Sequence, residues 1–91
     1  MHKNPSPDDL RVFTIVVRKA SFAEAAQELG ASPAFVSKRI RLLEEDLAVK
    51  LLHRTTRRVS VTEEGERAFH WALRILDDMD QLLQEVAVTR A

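Results

Sequence analysis

The sequence predicts a mainly α-helical fold, and three observations predict it. Two helix-start signals, at Ser21 and Ser32, lie either side of Gly30. Two short β-prone runs flank a basic turn in the middle of the chain. From Thr62 onward one apolar-periodic segment continues almost to the last residue. Together they describe a winged helix-turn-helix over residues 1–62, three helices plus a small two-stranded wing, followed by a long dimerisation helix over 63–91.

The first helix opens at Ser6-Pro7-Asp8-Asp9. Ser caps it, Pro occupies a first position whose N–H would be unpaired anyway, and the two acids suit the positive end of the helix dipole. It is expected over Pro7 to Lys19 with a buried stripe of Leu10, Phe13, Val17 and Ala20. Ser21-Phe-Ala-Glu24 reads as a capping box, the Ser hydroxyl accepting a first-turn N–H and the Glu carboxylate accepting the Ser N–H. Ala25, Ala26 and Leu29 follow at helical spacing, and Gly30 can take a left-handed turn without a Cβ clash. Ser32 then caps a helix with Pro33 at its first position. Two helices joined by so short a turn must cross steeply, as in a helix-turn-helix.

The helix over about 33–47 carries two faces. Val36, Ile40, Leu43 and Leu47 fall at steps of four, three and four, a narrow stripe that must meet a core. Ala34, Ser37, Lys38 and Arg41 form a second stripe centred roughly 140° away, holding only small and basic residues. Such a face suits a major groove, where Ser, Lys and Arg can bond to base edges and Ala can touch a thymine methyl.

After Leu47 the periodicity changes. Leu51-Leu52-His53-Arg54 and Val59-Ser60-Val61-Thr62 predict a hairpin around Thr55-Thr56-Arg57-Arg58, leaning on the helices through Leu51, Val59 and Val61. Its tip would project as a wing, with Arg57 and Arg58 able to reach a phosphate or a minor groove. Thr62 caps the last helix, whose first turn holds Glu63, Glu64 and Glu66. About 27 residues would make a helix of about 40 Å, longer than so small a domain can cover. Phe69, Ala72, Leu76, Met79, Leu83 and Val86 alternate steps of three and four, a coiled-coil seam, so a homodimer through this helix is expected, the alternative being a helix packed on its own domain or on further chain.

Composition narrows the function. The chain has no Cys, so neither disulfides nor thiolate metal sites are available. Neither a membrane-spanning run nor a signal peptide is visible, and a cytoplasmic location is expected. The net charge of zero conceals segregation: residues 32–61 hold seven basic side chains against three acidic, and residues 62–91 three against seven. A basic middle third can meet phosphates while the acidic last third stays away from them. His2, His53 and His70 lie far apart without ligand spacing, and no Gly-rich phosphate loop exists, so no enzyme, cofactor or metal site is expected. RNA binding is disfavoured for want of an exposed aromatic platform.

The run LRVFTIVVRKASFAEAAQELGASPAFVSKRIRLLEEDLAVKLLHRTTRRVSVTEEG, with Leu-Glu-Glu late in the recognition helix, the Arg-rich wing and Thr-x-x-Gly opening the long helix, resembles the N-terminal DNA-binding region of LysR-type transcriptional regulators. The resemblance covers the chain from about Leu10 to its end. It implies a linker helix that pairs two subunits on a partly palindromic promoter site, and a further C-terminal domain that senses a small effector. That domain is absent here, and the expectation is of a piece of a longer protein, with a dimer of dimers open for the whole. By the same resemblance Pro33, Ala34, Ser37 and Lys38 are groove-facing, Arg57 is the wing arginine, and Ser21 and Phe22 approach the DNA backbone. Lys50, Arg54, Arg57 and Arg58 are the candidates for phosphate contact. Many members carry Gln where Pro33 stands, which removes a bidentate adenine contact. Phe35 replaces a commonly small residue, and both packing on the core and meeting DNA are open to it. The reading is a sequence-specific regulator on double-stranded DNA; the alternative is a helical dimerisation or protein-interaction module that does not bind DNA.

Overall fold

The computed structural model describes residues 4–54 and 58–87. The elements run α1 (Pro7–Lys19), α2 (Phe22–Leu29), α3 (Pro33–Leu47), β1 (Leu52–Arg54), β2 (Val59–Val61) and α4 (Glu63–Ala87). The strands are antiparallel, with Leu52 opposite Val61 and Arg54 opposite Val59.

Capping side chains set the helix starts. The Ser6, Ser21 and Ser32 hydroxyls accept from the N–H groups of Asp9, Glu24 and Phe35, each at 3.1 Å. The reciprocal capping box forms at Ser6, whose N–H donates to Asp9, whereas at Ser21 only the forward half is made. Gly30 ends α2 in the left-handed conformation, φ 67°.

Phe13, Val16, Val36, Ile40, Leu43, Leu51 and Leu52 are the large side chains most completely enclosed, and Ala25, Ala26 and Ala72 complete the core around them. Each large apolar side chain so buried contributes about 1.5–3 kcal/mol relative to exposure. Val59 and Val61 pack against this cluster, so the wing leans on the helices as its apolar residues predict.

Two buried stripes differ from expectation. In α1, Val12, Thr14, Ile15 and Val16 join Phe13 in the interior, while Leu10 and Val17 are half-buried and Ala20 is the exposed, left-handed C-cap. The reason is position: α1 is packed by α2, α3, α4 and β2, so it is covered on more than one side. In α3, Leu47 is exposed because the last turn runs past the core and closes at Ala48, also left-handed at φ 57°.

The largest correction concerns α4. Ala72 and Leu76, expected in a dimer seam, are buried within the single chain, and Phe69 is half-buried against its core. The first half of α4 is therefore part of the same core as residues 1–62. The remaining seam residues divide: Met79 is half-buried, Leu83 and Val86 are 54% and 58% exposed. Among the described residues no helix is long and apolar enough to cross a membrane.

Candidate nucleic-acid interface

Helix α3 is held by its apolar side and by its C-terminal end. Val36, Ile40 and Leu43 bury one face, which turns Pro33, Ala34, Lys38 and Arg41 outward; all four are exposed. Ser37, between the two faces, is half-buried. The outward stripe continues to Glu45, also exposed, and that acid confines the uncharged and cationic surface to the first two to three turns.

Four cations are paired with carboxylates. Arg39 pairs with Asp9, Lys19 with Glu28, Arg54 with Glu44 and Arg67 with Glu63. Lys38, Arg41 and Lys50 meet no carboxylate within 4.0 Å among the described residues, as is also true of Arg11 and Arg18 on α1 and Arg74 on α4. Unneutralised cations around a small-residue helix face are what a polyanion requires.

The end of α3 is tied to the wing by Glu44, a buried acid that the periodicity did not single out. Its Oε2 accepts from the N–H groups of Leu51 at 2.9 Å and Leu52 at 3.2 Å, and its Oε1 from Arg54 at 3.4 Å. A buried carboxylate is tolerable only when paired in this way. The one available signal was spacing: Glu44 stands four residues after Ile40, on the edge of the buried stripe.

A second tie joins the wing to α4. The Thr62 hydroxyl donates to the Lys50 carbonyl at 2.7 Å and accepts from the Gly65 N–H at 2.9 Å, and the Thr62 N–H donates to the Leu51 carbonyl at 2.9 Å. A Cβ on Gly65 would stand 2.0 Å from the Leu51 carbonyl oxygen, so only Gly permits this approach. Thr62 was expected as a cap; its second bond to Lys50 and the role of Gly65 follow only from the backbone crossing.

The other expected contacts are distributed as follows. Ser21 and Phe22, at the start of α2, are half-buried, and the Phe22 ring lies 5.2 Å from the Arg54 guanidinium carbon. Arg58 is exposed at the end of the wing, and Arg57 lies outside the described residues. Phe35, 48% exposed, stands about 100° around α3 from Ala34, beside Arg39 and a cleft lined by Asp8, Arg11, Val12 and Leu29. It thus occupies a third face, neither in the core nor on the stripe of Ala34 and Lys38. Trp71 is also exposed, at 61%, contrary to the expected lack of exposed aromatics, but it sits on α4 and Phe35 on α3.

At Asp9, burial pushes the carboxyl pKa up, yet the Ser6 N–H, the Arg39 guanidinium and the Ser6 hydroxyl outweigh it and hold the pKa below 3.8. This anchors the start of α1 to the middle of α3.

The sequence pattern of bacterial regulatory helix-turn-helix proteins of the LysR family matches residues 7–66. The chain belongs to the LysR family. Its helix-turn-helix is therefore of the DNA-binding kind. The HTH-type transcriptional regulator DmlR of Escherichia coli K12 is 60% identical over 90 residues, which is 99% of this chain and 29% of DmlR. Among solved structures, the DNA-binding domain of BenM on catB site 1 DNA is similar at TM-score 0.90 and 32% identity, over 96% of this chain and 97% of that one. The DNA-binding domain of CbnR bound to DNA matches at TM-score 0.90 and 26% identity, over 96% of this chain and all of that one. The chain spans less than a third of the length of the curated LysR-family relatives it matches.

Proposed function

We propose that this LysR-family chain is the promoter-recognition part of a transcriptional regulator, acting in the cytoplasm as a homodimer on a partly palindromic duplex site. One observation carries the reading: α3 buries Val36, Ile40 and Leu43 while turning Ala34, Lys38 and Arg41 to solvent without a counter-charge. Each protomer inserts the first turns of α3, from Pro33 to Arg41, into a major groove. Ala34, Ser37, Lys38 and Arg41 meet base edges, while Lys50, Arg58 and the wing residue Arg57 meet phosphates and fix the register. Ser21 and Phe22 approach the backbone at the start of α2. The BenM and CbnR structures, each a DNA complex of the same fold, support this assignment.

The homodimer rests on α4. Trp71, Ile75 and Leu82 lie within about 40° of one another around the helix and are exposed, a second apolar stripe beside the one that meets the core. With Leu83 and Val86 they form a surface that a second copy of the helix would cover. A small-molecule effector and any assembly beyond the dimer belong to a further domain of the full-length regulator.

The test is a titration of duplex DNA against salt. Lys38→Ala is expected to cost about 1–3 kcal/mol and to blur preference at one base step, whereas Lys50→Ala weakens all sequences alike and flattens the salt slope. The reversed pattern would exchange the roles of the two lysines. Salt-independent, weak binding by the parent chain would favour a dimerisation module instead.

A further inference from the structure

We infer that Arg54 is a positioning residue for base readout: its guanidinium orients the Ser37 hydroxyl so that Ser37 enters the groove as a hydrogen-bond donor and selects an acceptor on the base it meets. The inference rests on the proposed groove face of α3 and deepens it.

The geometry begins with a planar cation held on three sides. Arg54 Nη1 donates to Ser37 Oγ at 3.1 Å, Nη2 reaches Glu44 Oε1 at 3.4 Å, and the Phe22 ring lies 5.2 Å from the guanidinium carbon. Glu44 is itself fixed by the N–H groups of Leu51 and Leu52, so α2, α3 and β1 all converge on this one group. A lysine could supply the charge but not the fork that bridges Ser37 and Glu44.

The consequence falls on the hydroxyl. A Ser side chain has one donor and two acceptor sites. Inside a helix it commonly turns its hydrogen back to the carbonyl four residues earlier, here that of Pro33. Among the described residues the Ser37 hydroxyl donates to nothing, and its oxygen instead receives the arginine. With a cation on the oxygen, the hydrogen is directed away from the guanidinium and toward the open side of α3, where Ala34 and Lys38 are exposed. Guanine O6 and N7, adenine N7 and thymine O4 are acceptors in the major groove, and the cytosine amino group is a donor. Ser37 therefore favours a purine or thymine at its position over cytosine, whose amino group could meet only the one lone pair that the arginine leaves, beside a positive charge. It also follows that Arg54, expected from the sequence to meet a phosphate, acts through Ser37.

The experiment selects duplexes from a library with a randomised central tract, using the whole chain. The enriched duplex is then titrated, with each base pair replaced in turn, against the parent, Ser37→Ala, Arg54→Lys, Arg54→Met and the Ser37→Ala/Arg54→Lys double variant; thermal melts confirm folding. Ser37→Ala is expected to lose discrimination against cytosine at one step, on the order of tenfold. Arg54→Lys should lose it at the same step, with no further loss in the double variant. If Arg54→Lys and Arg54→Met instead weaken every duplex evenly while Ser37→Ala remains step-selective, Arg54 is a phosphate contact and the inference fails, with the groove face intact. If Ser37→Ala shows no step-selective effect, the assignment of Ser37 to the groove fails as well.

Discussion

The two ends of α4 carry the same apolar rhythm and meet opposite surroundings. Toward its start, Gly65 touches the Leu51 backbone, Ala72 lies in the core and Leu76 is buried. Toward its end, Leu82, Leu83 and Val86 are all more than half exposed. The steps of three and four do not change between them; what changes is whether α1 and the wing extend far enough to cover the helix. A seam in sequence therefore states that a helix will be covered, and leaves open by what.

The largest expected effect comes from breaking the docked end. Gly65→Ala places a carbon 2.0 Å from a backbone carbonyl that flexible side chains cannot yield for, so a loss of about 3 kcal/mol or more is expected. A urea titration of the purified variant would measure it, and unchanged stability would show that the joint between the wing and α4 can slide. Paired substitutions then sharpen the contrast. Leu76→Asp, burying a charge among apolar side chains, is expected to cost at least about 3 kcal/mol in folding. Leu83→Asp should leave the melt of the single domain almost unaltered and shift sedimentation toward the monomer. Equal effects from both substitutions would erase the distinction between the two ends.

The smallest effect belongs to the tie between α1 and α3, which α4 does not share. Because the folded Asp9 pKa lies below its ordinary 3.8, its stabilisation is present above that value and is lost as pH falls through the lower folded pKa. Asp9→Asn should cost about 1 kcal/mol near neutrality, and acid unfolding curves of parent and variant should begin to approach each other as pH falls below 3.8 and meet below the folded pKa. A difference that persists into stronger acid would assign the effect to packing.

Much of the proposed groove face was legible in the chain because its signals are local. Ser32, Pro33 and Gly30 act within a turn of helix, and the starts of α2 and α3 follow from them. The outward placement of Ala34, Lys38 and Arg41 follows in turn from Val36, Ile40 and Leu43. What escaped was set by crossings between distant segments. The interior run of α1, from Val12 to Val16, depends on helices arriving from several sides, which no single period records. Glu44 looked like one acid among three until the N–H groups of Leu51 and Leu52 arrived beside it. Arg54 looked like any wing cation; only the meeting of Phe22, Ser37 and Glu44 gives it a fixed plane.

The hydroxyl of Thr62, bonded on one side to Lys50 and on the other to Gly65, makes a stiff elbow between the wing and a rod of 25 residues. At about 1.5 Å per residue the rod is about 37 Å long, so a tilt of about 5° at the elbow moves its far tip by about 3 Å. That is close to the spacing of adjacent base pairs, about 3.4 Å. In the proposed dimer a joint this firm would let two such heads, coupled through their rods, count bases along a duplex without slipping by one.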